Sequence, residues 1–262
     1  MENKMNTLED LMRIIRILRS ENGCPWDKVQ THASIRMDML EEAYEAADAI
    51  DKKDMKNLCE ELGDVLMQVV FHAEIETEQG GFTMADVIQG ICEKMIYRHP
   101  HVFGSGKADT AEEVLINWEE LKKKEKRQET QTEVMKSVPE ALPALIRARK
   151  VQKKAADVGF DFPVTADAMR KVYEEVQELE QAVRENGEIE EEFGDILFAL
   201  VNISRFLKIN PEFALTKAIK KFINRFEYIE KSALSEGKAL SEMSLEEMDL
   251  LWDEAKIKLN PM

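Results

Sequence analysis

Several acidic residues of the chain are spaced as metal ligands would be. Glu42 and Glu45 stand three apart, as do Glu61 and Asp64, and both spacings return in Glu175/Glu178 and Glu192/Asp195. Residues three apart on a helix are neighbours on one face. Two such helices joined by a short connector lie antiparallel, so four carboxylates converge between them. Left alone, such a cluster is unfavourable, because two like charges about 4 Å apart repel by about 4 kcal/mol at an effective dielectric near 20. A cation must offset that repulsion. Ligands that are all hard oxygens select Mg²⁺ or Mn²⁺. Zinc would want His or Cys, and neither sits in the pattern. Di-iron bundles use Glu-x-x-His, and the residues three before His32, His72, His99 and His101 are Val29, Val69, Ile96 and Arg98. A solvated acidic face is the rival reading for one copy, since Asp and Glu fill 52 of 262 positions. It is a poor rival for two copies in register.

The elements that hold these acids read as helices. Only 11 Gly and 7 Pro punctuate the chain and 7% of it is aromatic, which favours long helices over a turn-rich β chain. Leu8, Leu11, Ile15 and Leu18 recur at helical spacing. Further helices are expected from Ile35 to Ile50, Leu58 to Ile75, Met84 to Arg98 and Glu112 to Lys126. The segments ENGCPWDKVQT, EQGGFT and HPHVFGSG break them. Ile50, Leu58, Leu62, Val65, Leu66 and Val69 flank the first acid pattern, and Ile189, Phe193, Ile196, Leu197 and Leu200 flank the second. They are expected to set the acids beside a core stripe. Gly63 and Gly194 precede the last acid of each set. Each costs about 1 kcal/mol in a helix relative to Ala. Close approach of a neighbouring helix, or of metal-bound phosphate, would account for that tolerance.

The second half of the chain repeats the first. LEEAYEAADAI matches YEEVQELEQAV, and CEELGDVLMQVV matches EEEFGDILFALV. Lys94 and Arg98 match Lys221 and Arg225, Trp118 matches Trp252, and Gly23 before Trp26 matches Gly159 before Phe162. The offset stays between 127 and 136 residues, which is a domain duplication and not a solenoid period. Two tandem all-α domains are expected at 1–125 and 140–262, with 126–139 a charged linker.

Charge and composition exclude several roles. A net charge of −16 gives no footprint for a phosphate backbone, so nucleic-acid binding is not expected. No apolar run approaches 18 residues and the first residues carry no apolar signal core, so neither a membrane span nor export is expected. Cys24, Cys59 and Cys92 are odd in number and widely spaced, as buried or free thiols in a reducing cytoplasm would be. His99 and His101 around Pro100 read as a helix terminus, not as ligands.

The repeated E-E-x-x-E followed by E-E-x-G-D, with G-C-P-W-D-K, R-H-P-H-V-F and V-G-F-D, resembles the MazG family of nucleoside triphosphate pyrophosphohydrolases over essentially the whole chain. The resemblance implies tandem helical bundles of the all-α NTP pyrophosphatase type, assembled as a homodimer. It implies Mg²⁺-dependent hydrolysis of NTPs and dNTPs to monophosphate and pyrophosphate, as nucleotide-pool housecleaning. Glu175, Glu178, Glu192 and Asp195 are then the metal ligands of the second repeat, with Glu42, Glu45, Glu61 and Asp64 their partners in the first. Asp195 also faces substrate. Glu174 and Glu191 precede ligand positions, and one of them would orient or deprotonate the attacking water. Lys221, Asn224 and Arg225 would contact nucleotide, and Trp252 would stack on base or ribose. Lys94, Arg98 and Trp118 are the weaker first-repeat counterparts. Lys171 stands one turn before Glu175 at the mouth of the site, where the first repeat has Asp38. The second repeat is therefore expected to carry most of the catalysis. A base-restricted dUTP or dCTP hydrolase, and a non-catalytic helical module with structural ions, remain the alternatives.

Overall fold

The computed structural model describes residues 6–259. Among them every regular element is helical, and the chain divides into two compact units at Lys122/Lys123.

Unit 1 opens with α1 (Leu8–Arg19), started by a capping box in which the Thr7 hydroxyl accepts from Asp10 N and the Asp10 carboxylate accepts from Thr7 N. A single 3₁₀ turn (Asp27–Val29) leads to α2 (Arg36–Lys52), α3 (Met55–Gln79), α4 (Met84–Arg98) and the one-turn α5 (Pro100–Phe103). α6 (Ala111–Glu125) runs across the division between the units. The core gathers Ile15 from α1, Ile35, and Val70, Phe71, Ala73 and Ile75 from α3. Arg19 is buried there with its donors satisfied. Its guanidinium pairs with Glu78 at 2.7 Å, donates to the Asp27 and Gln30 carbonyls, and stacks 5.0 Å over Phe71. A buried charge persists only when paired in this way, and here the pairing ties the G-C-P-W-D-K segment to α3.

Unit 2 comprises α7 (Gln131–Lys136), α8 (Ala144–Ala156), α9 (Thr165–Glu185), α10 (Ile189–Phe206), α11 (Pro211–Ser235) and α12 (Leu245–Leu259). α8 and α9 both pack on α10, and α11 packs on α12 and α8. Buried Ala168, Ala199, Ala233 and Ala255 let these helices approach closely. The stretch read as a charged linker, 126–139, contains α7, which packs on α8 and buries Val134, with Val138 buried just after it. A capping box of Thr130 and Glu133 starts that helix in spite of its polar composition.

Two expectations about packing are corrected. Ile50, Leu62, Leu66, Ile189, Phe193, Leu197 and Leu200, read as core beside the acids, are each more than 40% exposed in the single chain. Apolar periodicity reports a face that wants cover, not which surface supplies it. A Cβ built on Gly63 or Gly194 meets nothing within 4 Å, so no neighbouring helix accounts for either glycine. His99 does sit at the α4/α5 junction, its ring Nδ1 donating to Met95 O. Cys24, Cys59 and Cys92 are free thiols, the last two exposed rather than buried. No helix of the described residues is long and apolar enough to cross a membrane.

Candidate active site

In unit 1 a two-residue turn reverses the chain. Lys53 adopts the left-handed conformation (φ 58°) and Asp54 caps α3 by accepting from Asn57 N at 3.0 Å. The reversal lays α2 along α3 and sets Glu42 and Glu45 opposite Glu61. Carboxylate oxygens of these three lie within 4.8 Å of one another. Burial, then the charges of Asp64, Glu45 and Glu61, hold the Glu42 carboxyl above its ordinary range. Burial, then the charge of Glu45 and a hydrogen bond shared with it, does the same to Glu61. All four expected ligands therefore sense one another.

Unit 2 repeats the construction. Asn186, at φ 57°, ends α9 in the left-handed region, which Asn tolerates better than most residues. Glu175, 5% exposed, then meets Glu192 and Asp195, again with oxygens within 4.8 Å. Glu178 shares a hydrogen bond with Glu175, which, with burial, raises its carboxyl. Lys171 reaches into this group: its ammonium lies 2.6 Å from Glu175 and 2.7 Å from Glu174. Those two hydrogen bonds, Glu174 first, push the Lys171 amine up, so it stays protonated. Glu191, on the first turn of α10, is exposed.

Both clusters suit a divalent cation by their donor chemistry. Every candidate ligand atom is a carboxylate oxygen, and in unit 1 burial, then the neighbouring negative charges, raises Glu42 and Glu61.

Two neighbouring cavities lie on the unit 2 side of the cluster and share part of their lining. The smaller, about 200 Å³, touches Lys171, Glu175 and Asp195. The larger, about 540 Å³, runs between α8 and α10. They share Gln152, Phe160, Phe162, Phe198 and Asn202. The V-G-F-D segment forms one wall: Gly159 turns at φ 86°, Phe160 follows it, and Asp161 is held by Arg205. None of these five lining residues was named as a site residue from the sequence, although Phe160 lies in the V-G-F-D segment and Phe162 and Phe198 in the repeat matches. A faint signal existed, since Asn202 interrupts the apolar run ILFALVNIS and falls seven residues, two turns, after Asp195.

The remaining expected residues lie elsewhere in unit 2. Lys221, Asn224 and Arg225 line a separate hollow of about 240 Å³ with Lys217, Lys220 and Leu259, and it shares no lining residue with the acidic cavities. The Arg225 guanidinium stacks 5.4 Å over the Trp252 ring, which also contacts Phe222. The first repeat preserves the motif: Arg98 stacks 5.2 Å over Trp118, with His99 edge-on to the same ring and Lys94 one turn earlier on α4.

Known proteins are similar to this chain. The family model described as the MazG nucleotide pyrophosphohydrolase domain matches residues 30–103 and 165–230, one copy on each acid pair. A nucleoside triphosphate pyrophosphohydrolase of Escherichia coli is 44% identical, covering 96% of this chain and 98% of the relative. The nucleoside triphosphate pyrophosphohydrolase/pyrophosphatase MazG of Thermotoga maritima is 44% identical over 95% of each chain. The uncharacterized protein YabN of Bacillus subtilis is 54% identical over 93% of this chain and half of its own length. Two helix pairs that each converge three carboxylates, each under its own family match, within chains similar from end to end: this protein belongs to the MazG family of nucleotide pyrophosphohydrolases.

Proposed function

We propose that the chain hydrolyses nucleoside triphosphates to nucleoside monophosphate and pyrophosphate, with Mg²⁺ (or Mn²⁺) as cofactor and unit 2 as the principal site. The observation that carries this reading is Lys171 beside the converged Glu175, Glu192 and Asp195, at the opening of a cavity. Glu175, Glu178, Glu192 and Asp195 would hold the metal, which when bound spreads the charge of the phosphate chain and activates water. The chain's own groups do the rest. Lys171 offers a charge-assisted donor to phosphate oxygens that now go to Glu174 and Glu175. Water adds across the anhydride that joins monophosphate to pyrophosphate, and its proton passes to a carboxylate. Of the two candidates, Glu174 is engaged by Lys171, which favours Glu191.

Lys221, Asn224 and Arg225, which line the basic hollow, contact the nucleotide together with Trp252, stacked under Arg225. Glu42, Glu45, Glu61 and Asp64 form a second, weaker metal site, with Lys94, Arg98 and Trp118 alongside. A homodimer covers the apolar stripes left exposed beside the acids. Free thiols suit a reducing cytoplasm. The test is pyrophosphate release from a panel of NTPs and dNTPs with Mg²⁺, with Mn²⁺ and with chelator. Release that requires the divalent ion is expected; no release from any nucleotide overturns the reading.

A further inference from the structure

We propose that His32 and His72 share one proton in front of Glu76 and so form a pH-operated clasp, which closes the open end of the α2/α3 hairpin in unit 1 and releases it once both imidazoles are protonated.

A helical hairpin is held by its turn at one end only. In unit 1 the turn at Lys53 and Asp54 joins α2 to α3, and Glu42, Glu45 and Glu61 converge along the pair. The far end, where α2 begins and α3 finishes, needs a tie of its own. His32 stands four residues before α2, and His72 lies in the last third of α3. Their Nδ1 atoms are 2.7 Å apart, and His32 Nε2 lies 2.8 Å from a Glu76 carboxylate oxygen. The rings are 3° from parallel with centroids 5.0 Å apart. That separation matches the nitrogen distance plus two ring radii, so the imidazoles meet end to end and not face to face.

This geometry dictates where the protons sit. Ionised Glu76 only accepts, so His32 Nε2 carries a hydrogen. Neutral His32 then has a bare Nδ1, which accepts from the Nδ1–H of His72. The bare Nε2 of His72 can take one further proton while that hydrogen bond survives. A second added proton must go to His32 Nδ1, and two N–H groups would then face each other across 2.7 Å. The contact opens instead.

The surroundings leave the histidines as the titrating part. Met39, Val69, Ala73, Phe82 and Val87 line with them a hollow of about 410 Å³, and none of these five titrates. Glu76 is the charged group bonded to the pair. The Arg16–Glu74 and Arg19–Glu78 pairs that join α1 to α3 sit roughly 200–240° round α3 from His72, on its other side. Burial, then the charge of His32, holds His72 below its ordinary value, in keeping with a pair that resists its second proton.

Unit 2 ties the same end of its hairpin with groups of another kind. Buried Ile203 occupies the repeat position of His72. Asp161, four residues before α9, pairs instead with Arg205 at the end of α10. An arginine–carboxylate pair keeps both charges across the range in which histidine titrates. Mild acid should therefore loosen the first hairpin and leave the second closed.

Hydrogen exchange read by mass spectrometry on the full chain tests this, because unit 2 serves as the control within the same molecule. Between about pH 7.5 and about pH 5, after correction for intrinsic exchange, protection at the start of α2 and the end of α3 should fall about tenfold or more, since each extra proton bound by the open form is worth up to about tenfold per pH unit. The start of α9 and the end of α10 should stay within about twofold. His72→Gln keeps a side chain able to hydrogen-bond His32 but does not titrate, so it should abolish the difference between the two pH values. No pH-dependent loss in unit 1, an equal loss in unit 2, or a loss that persists in His72→Gln overturns the clasp. Should His72→Gln fail to fold by circular dichroism, His32→Gln, at a partly exposed side chain, decides on the same criterion. The clasp involves no nucleotide, so its failure and that of the hydrolase reading are separate results.

Discussion

Unit 1 and unit 2 each converge three carboxylates on the same kind of helical hairpin, Glu42, Glu45 and Glu61 in one and Glu175, Glu192 and Asp195 in the other, then surround them differently. One turn before the first ligand stands Asp38 in unit 1 and Lys171 in unit 2. Two turns after the last stands Phe71, buried, against Asn202, lining a cavity. The acids of unit 1 are left to repel one another, whereas those of unit 2 receive an ammonium. Holding a metal needs only i,i+3 spacing and a tight reversal, both local and easily kept through a duplication. The residues around the acids, on α8, the following turn and α10, are what differ. The comparison teaches that the two units have diverged around the carboxylates more than in the hairpin that carries them.

The sharpest way to break this view is to remove one cluster at a time in the full chain. Glu175→Gln or Glu192→Gln should lower pyrophosphate release by about a thousandfold, the scale lost when preorganised charge stabilisation is removed. Glu42→Gln or Glu61→Gln should keep it within about threefold, if unit 2 is the principal site. The helical circular-dichroism signal should be intact in all four. The reverse ranking would place catalysis in unit 1.

A smaller effect sharpens the role of the ammonium. Lys171→Met should cost about ten- to a hundredfold in kcat/KM, the value of one charge-assisted hydrogen bond. Asp38→Lys should tighten nucleotide binding to a protein already carrying Glu175→Gln, measured by calorimetry. No change in either variant would separate Lys171 from the substrate.

The smallest effect concerns stability. In unit 1, His32 bridges His72 (2.7 Å) and Glu76 (2.8 Å). Burial, then the charge of His32, holds His72 below its ordinary value. The folded state thus keeps His72 neutral where the unfolded chain takes up a proton. Stability is full above the ordinary histidine value of about 6.5 and falls as pH drops through it. Unit 2 has buried Ile203 at the repeat position. His72→Gln should flatten the decline of Tm between about pH 7 and 5; an unaltered profile would assign the acid sensitivity to other groups.

The acid pairs and the helix boundaries were legible because each rests on short-range periodicity, and the duplication because the same segments recur in order at a nearly constant offset. The expected helix from Met84 to Arg98 matches α4, and the others differ by a few residues at caps set by turn geometry. The cavity beside the unit 2 acids was not legible, because its lining joins α8, the following turn and α10 across the 50 residues from Gln152 to Asn202. The exposed Leu62 and Leu66 of unit 1 and Phe193 and Leu197 of unit 2 were misread because periodicity marks an apolar face without saying what covers it. The basic residues of α11 were readable as a group, but whether they share a cavity with the acids depends on the helical crossing, which no local signal encodes.

Gly194 adjoins Asp195, and its missing side chain leaves clear ground that no atom of this chain claims. Alanine should be welcome there on helical grounds alone, adding up to about 1 kcal/mol. A protein that forgoes so inexpensive a gain at both duplicated sites keeps standing room for a visitor. Gly194→Ala should therefore melt later and turn over more slowly, the two readouts moving in opposite directions. If both improve together, the clearing was never in use.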